Sequence, residues 1–174
     1  MEIKGSATFN KKTCKEIVHA VYPNRTPAAI LSSIIFILLF ILGIIIFFKI
    51  DRALSYMILM FSVISGVIAY MFIKLPSIQY ASMGSSKDAV CNYIFCDDEL
   101  HTQMTYADGR IISTSAVKYD IIFKVIESSE YIFIFQNKRS LYIIEKSTVN
   151  PDELDELIAF LKKQCPMKYK KSKK

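Results

Sequence analysis

Two uninterrupted apolar segments dominate the hydropathy pattern of this chain. Residues 28–48 and 53–73 contain no charged side chain, and about 20 helical residues cross the hydrocarbon core of a bilayer. Residues 49–52 are too few to return across a membrane, so the two predicted helices run antiparallel with both chain ends on one side. A buried core helix and a cleavable signal peptide fit less well, because a polar face is missing and a second apolar run follows immediately.

Beyond residue 88 the pattern changes to short segments typical of strands, which are residues 90–95, 100–107, 110–115, 121–126, 131–135 and 141–144. Asp108-Gly109 is a strong hairpin signal. A C-terminal helix follows, with Asn150 as the predicted N-cap and Pro151 in its first turn. Its predicted buried stripe consists of Leu154, Leu157, Ile158, Leu161 and Cys165. The predicted fold class is membrane α+β: a two-helix transmembrane hairpin plus a small antiparallel β-sheet or partial barrel, capped by a C-terminal α-helix.

The N-terminal segment, residues 1–27, carries two weaker signals. Residues 3–9 are a candidate strand, and Thr13 with Glu16 forms a predicted capping box for a short helix that Pro23 ends. This helix is a candidate cover for residues 131–135, which are apolar on both faces. The remaining predicted divisions are a hairpin at 28–73, a linker at 74–87, a domain at 88–165 and a basic tail at 166–174.

A family resemblance rests on the C-terminal half. The residues that carry it are Tyr119-Asp120-Ile121, the strand pair at 127–134, Leu141-Tyr142-Ile143-Ile144-Glu145-Lys146, and the helix start at 151–157. In this order, after a tight apolar hairpin, they resemble the bacterial YcxB-like membrane proteins over nearly the whole chain. The resemblance implies a C-terminal pleckstrin-homology-like domain. It brings no reaction, cofactor or catalytic residue.

The distribution of positive charge favours one orientation. The flanks of the predicted hairpin carry Lys11, Lys12, Lys15, Arg25, Lys74 and Lys87, whereas its loop carries Lys49 and Arg52. The positive-inside rule therefore predicts a multi-pass cell-membrane protein with both termini in the cytoplasm. Cys14, Cys91, Cys96 and Cys165 all lie outside the predicted spans and are expected to be free thiols in that compartment.

The net charge of +6 comes mainly from lysines near the C-terminus. Such cations can contribute on the order of 1 kcal/mol each beside anionic lipid headgroups, although a solvated tail explains them equally simply. The candidate headgroup contacts are Lys168, Lys170, Lys171, Lys173 and Lys174, with further cations at Lys138 and Arg139. Nucleic-acid binding is not expected, because no aromatic–basic strand motif or recognition helix accompanies the charge.

Small residues in the second span have the spacing of helix-packing positions. Ser62 and Gly66 are four residues apart, as are Ser65 and Ala69, and such residues let helix backbones approach closely in a bilayer. Two interpretations stay open. They pack against the first span of the same hairpin near Gly43, or they form a homodimer interface.

No combination of residues points to catalysis. The few glycines are too far apart for a phosphate-binding loop, Cys91, Cys96 and His101 lack a fourth metal ligand, and Asp97-Asp98-Glu99 has the character of a solvated turn. We therefore expect no catalytic residue, cofactor or metal ligand. The predicted function is a non-catalytic binding or assembly module with an unidentified protein partner. The alternative is a channel- or transporter-associated subunit that works as an oligomer, and an enzyme ranks third.

Overall fold

The chain folds into two units, one of which is inserted into the other. The computed structural model describes residues 2–137, 140–165 and 168–171. One unit, the β-rich unit, combines Met1–Ala20 with Ser82–Lys174, and the second, the helical unit, is Val21–Ala81.

Within the described residues there are four α-helices and eight strands, besides three single-turn 3-10 helices. In chain order they are β1 (Ile3–Thr8), α1 (Lys11–Val21), α2 (Arg25–Lys49), α3 (Arg52–Ser82), β2 (Val90–Phe95), β3 (Glu99–Thr105), β4 (Ile111–Lys118), β5 (Lys124–Glu127), β6 (Tyr131–Phe135), β7 (Leu141–Glu145), α4 (Pro151–Gln164) and β8 (Tyr169–Lys171).

The strands form two four-stranded sheets, with orders β1-β2-β3-β4 and β7-β6-β5-β8. In the first sheet β1 pairs antiparallel with β2, so that Ile3 lies opposite Phe95 and Thr8 opposite Val90. In the second sheet β8 runs parallel to β5. The predicted antiparallel strands and the C-terminal helix are present, but the strands form two sheets instead of one, and β8 adds a parallel pair. The prediction did not include β8, because a lysine-rich segment gives no apolar strand signal.

One hydrophobic cluster joins both sheets to α4. It includes Phe95 and Leu100 from the first sheet, Ile134 from the second, and Leu157 and Leu161 from α4. Full burial of a leucine side chain stabilises a fold by roughly 1.5–3 kcal/mol. The predicted stripe of α4 is confirmed, since Cys165 also belongs to the cluster and Leu154 and Ile158 pack against it. The N-cap is confirmed too, because the Asn150 side chain accepts a hydrogen bond from the Asp152 amide.

The helix α1 begins earlier than predicted. Asn10 Oδ1 accepts the Thr13 amide at 3.0 Å, and the Thr13 hydroxyl instead donates to the Thr8 carbonyl at 2.7 Å. The predicted capping box at Thr13 was therefore wrong, because that hydroxyl binds the end of β1. The first turn of α1 contacts the start of β6, where Lys12 Nζ lies 2.8 Å from a Glu130 carboxylate oxygen.

The helix α3 extends further than the apolar run. The segment 74–87, predicted as a linker, is helical up to Ser82 and contains Pro76 within the helix. Proline lacks an amide hydrogen, so one helical hydrogen bond is missing there. Apolar length alone therefore did not predict where this helix ends.

Candidate functional site

The small residues predicted from spacing lie between α2 and α3. The Ser55 hydroxyl donates to the Gly43 carbonyl at 2.7 Å, and the Ser65 hydroxyl donates to the Ser32 carbonyl at 2.9 Å. These pairings run in opposite directions along the chain, so the helices are antiparallel. Ser62 and Ala69 are buried.

Two glycines allow the close approach of these helices. A Cβ atom added at Gly43 would lie 2.7 Å from Leu59 Cδ2, and one at Gly66 would lie 3.0 Å from Phe36 Cδ2. The positions predicted for helix packing therefore contact the partner helix of the same hairpin.

The outer surface of the same two helices is apolar. Both are long and apolar enough to cross a membrane. In α2 the buried positions are Ala29, Gly43 and Ile46, whereas most of the large hydrophobic side chains are exposed. Soluble monomers rarely expose contiguous apolar surface of this extent, which marks sites of membrane or protein contact.

The predicted headgroup-contacting lysines divide into two groups. Lys168 Nζ donates to the Asp120 carbonyl at 3.1 Å, and Lys170 and Lys171 are exposed on β8. Lys173 and Lys174, together with Lys138 and Arg139, lie outside the described residues. At least part of the predicted tail is thus strand, held by a hydrogen bond from the Val125 amide to the Lys168 carbonyl.

A buried carboxylate, which sequence reasoning missed, fixes this C-terminal strand. Glu127 is 5% exposed. It accepts hydrogen bonds from Lys146 Nζ at 2.8 Å and from the Tyr169 hydroxyl at 2.6 Å. Burial by itself would raise the pKa of Glu127, but the bonds from Lys146 and Tyr169 outweigh it and lower the pKa. A carboxylate held as an anion by two donors is suited to tie β5 to β8 and to the turn that follows β7, rather than to transfer protons.

An acidic cleft of about 780 Å³ lies at the end of β2. Asp97, Asp98, Glu99 and Asp120 line it, and Glu99 also contacts His101 Nε2 at 3.0 Å. Its negative charge disfavours phosphate groups. Across residues 2–137, 140–165 and 168–171, no three metal-ligating side chains of His, Cys, Asp or Glu come together.

The cysteines have the environment of structural thiols. Cys14, Cys91 and Cys165 are buried, and burial raises the pKa of each thiol. A protonated thiol is a poor nucleophile and a poor metal ligand.

Exposed apolar side chains mark one part of the β-rich unit. Ile121 and Phe123 are each about half exposed on either side of Ile122, which is fully buried. This pair offers an apolar contact surface that sequence patterning alone did not indicate.

These features define a class of protein in which two long apolar helices are inserted, along the chain, into a unit of two β-sheets. The family model described as YcxB-like protein matches residues 108–161, from the turn before β4 to α4. The resemblance inferred from the sequence is confirmed over this segment. No curated protein and no solved structure gives a significant match to the chain.

Proposed function

We propose that this is a bacterial integral membrane protein whose helical hairpin anchors a cytoplasmic pleckstrin-homology-like domain, and that this domain is a non-catalytic binding or assembly module. The observation that carries the proposal is the insertion of Val21–Ala81 between β1 and β2, two strands of one sheet. A folded domain that both precedes and follows the hairpin keeps the two hairpin ends on the same side of a bilayer.

The dimensions of the hairpin support an anchor. At 1.5 Å per residue, α2 and α3 are about 37 and 46 Å long, which exceeds a hydrocarbon core of about 30 Å. The two-residue connection between Lys49 and Arg52 requires antiparallel helices. Their outward apolar side chains would face acyl chains, while the serine hydroxyls bond to backbone carbonyls within the hairpin.

The β-rich unit supports a binding role. Two four-stranded sheets with a C-terminal helix fit the pleckstrin-homology-like architecture that the YcxB-like match suggests. The turn between β2 and β3 carries the acidic run Asp97-Asp98-Glu99, which would repel an anionic headgroup. Exposed Ile121 and Phe123 favour a protein partner at this domain.

Site-specific photocrosslinking in native membranes tests the binding role. A photoreactive phenylalanine analogue replaces Phe123 or Ile121, and the exposed polar residue Ser129 serves as the matched control. We expect a discrete adduct from positions 121 and 123 and none from 129. Absence of an adduct from both apolar positions would contradict a binding module at this surface.

The mass of the detergent-purified protein separates this role from the alternative. We expect one copy per micelle for a binding module. A stable oligomer, with crosslinks solely between copies of the chain, would instead indicate the channel- or transporter-associated subunit.

A further inference from the structure

A guanidinium nitrogen at the start of α2 has no partner. Arg25 Nη1 is shielded from solvent and makes no hydrogen bond, and in the part of the chain that the structure describes it is the one buried side-chain nitrogen or oxygen in this state. Buried polar groups in folded proteins are nearly always paired, so an unpaired one calls for an explanation such as a ligand. A guanidinium group carries a fixed positive charge and a planar set of donors, which suit carboxylate or phosphate oxygens.

Arg25 is also one of the residues that line a cleft of about 340 Å³. Arg25 and Asn24 form its polar wall, and Tyr22, Ala28 and Phe72 form its aromatic and apolar wall. A site with one charged group among apolar side chains fits a ligand that has a charged end and an apolar body.

The backbone at this point adds to the positive potential. The first turn of α2 contains no acidic residue, and the Asn24 side chain makes no capping hydrogen bond. The amino end of a 25-residue helix carries a partial positive charge that favours an anion. The amino end of α2 and the guanidinium group of Arg25 therefore both favour an anionic ligand.

The position along the hairpin indicates where the anion comes from. The charge-free run begins at Ala28, three residues after Arg25, which places the guanidinium group about one helical turn from the apolar segment. In a membrane-spanning hairpin this is the level of the lipid headgroups. Phe72, near the end of the apolar run of α3, lines the same cleft and would lie beside the glycerol and the first acyl carbons.

We propose that this cleft binds an anionic phospholipid, with the phosphate paired to Arg25 and the upper acyl chain against Tyr22 and Phe72. The proposal rests on the membrane location proposed above. Free phosphate shares the charged chemistry but would gain nothing from the apolar wall, so a phospholipid is the ligand that uses the whole cleft.

Native mass spectrometry of the full chain in a neutral detergent tests the site. The probes are phosphatidylglycerol and phosphatidylcholine with identical acyl chains, added to wild type, Arg25→Gln and Arg52→Gln. Arg52 is the matched control, because it lies in the same hairpin at the loop end, where its guanidinium group is 5.7 Å from the Phe47 ring centre. Charge-assisted pairing is expected to give wild type and Arg52→Gln about tenfold tighter binding of one phosphatidylglycerol than Arg25→Gln.

Three results would overturn the site. The first is that wild type binds the two lipids equally, a comparison that does not depend on any variant. The second is that Arg25→Gln binds phosphatidylglycerol as tightly as wild type does. The third is that millimolar inorganic phosphate displaces the bound phosphatidylglycerol. Alkaline carbonate extraction distinguishes failure of the lipid site from failure of the proposal that the hairpin anchors the protein in the membrane. A wild-type chain that stays in the membrane pellet without lipid preference contradicts the site alone, whereas extraction of the wild-type chain contradicts the anchor.

Discussion

Glu127 joins parts of the chain that sequence patterning keeps apart. Lys146 is 19 residues from it and Tyr169 is 42 residues from it, yet both donate to its carboxylate. An isolated glutamate at a strand end gives no signal of burial, and the lysines around Tyr169 indicate a solvated tail. The pairing depends on tertiary placement, so the sequence predicted neither β8 nor the buried ion pair.

Removing the Tyr169 hydroxyl tests its contribution to β8. Tyr169→Phe leaves one oxygen of a buried carboxylate without its donor, which we expect to cost about 1–3 kcal/mol of unfolding free energy. Hydrogen exchange at residues 169–171 should accelerate, as measured by mass spectrometry of the full chain in detergent. Tyr142→Phe is the control, because that hydroxyl makes a long contact of 3.4 Å to Gln136. Equal exchange in both variants would contradict the role of the Glu127 contact.

The lowered pKa of Glu127 predicts an acid dependence of stability. A carboxyl group whose pKa is lower in the folded state stabilises the fold above its ordinary value of 4.5 and loses that contribution as the pH falls through the folded-state value. The thermal unfolding midpoint of wild type should therefore fall below about pH 4.5 more steeply than that of Glu127→Gln. Parallel pH profiles for the two proteins would show that Glu127 titrates normally.

At the level of secondary-structure elements, apolar patterning was sufficient to locate α2 and α3, but not to predict which helix each of them packs against. The charge-free runs located both helices, and the spacing of Ser62, Ser65, Gly66 and Ala69 located a packing face. Spacing could not decide whether that face meets the same hairpin or a second copy, since both need small residues. Contacts with Phe36 and Ser32 place it inside the hairpin.

Enlarging Gly43 tests the closeness of this packing. Gly43→Val would place side-chain atoms where Leu59 already lies 2.7 Å from the Cβ position, and overpacking of this kind costs about 1–3 kcal/mol. We expect a lower thermal unfolding midpoint in detergent than for Ile44→Val, which creates the same residue at an adjacent exposed position. Equal midpoints would contradict a tight α2–α3 contact at Gly43.

In the whole molecule, two strands that pair in one sheet are separated along the chain by the inserted helices. Residues 3–9 were predicted as a strand, but their partner lies beyond the hairpin at Val90–Phe95. Local patterns cannot locate a partner that an inserted unit separates along the chain. In the proposed membrane location, this pairing would require both ends of the hairpin to lie on the same side.

Thiol labelling from the two sides of the membrane tests whether the hairpin spans the bilayer and leaves the β-rich unit in the cytoplasm. Reporter cysteines replace Ile50, between α2 and α3, and Ala107, in the exposed turn before β4, in a chain where half-buried Cys96 is serine. The three remaining native thiols are buried and should react little. We expect an impermeant maleimide to label position 50 on intact cells, and to label position 107 only after permeabilisation. Labelling of both positions from the same side would contradict a membrane-spanning hairpin, and labelling of position 107 on intact cells would contradict a cytoplasmic domain.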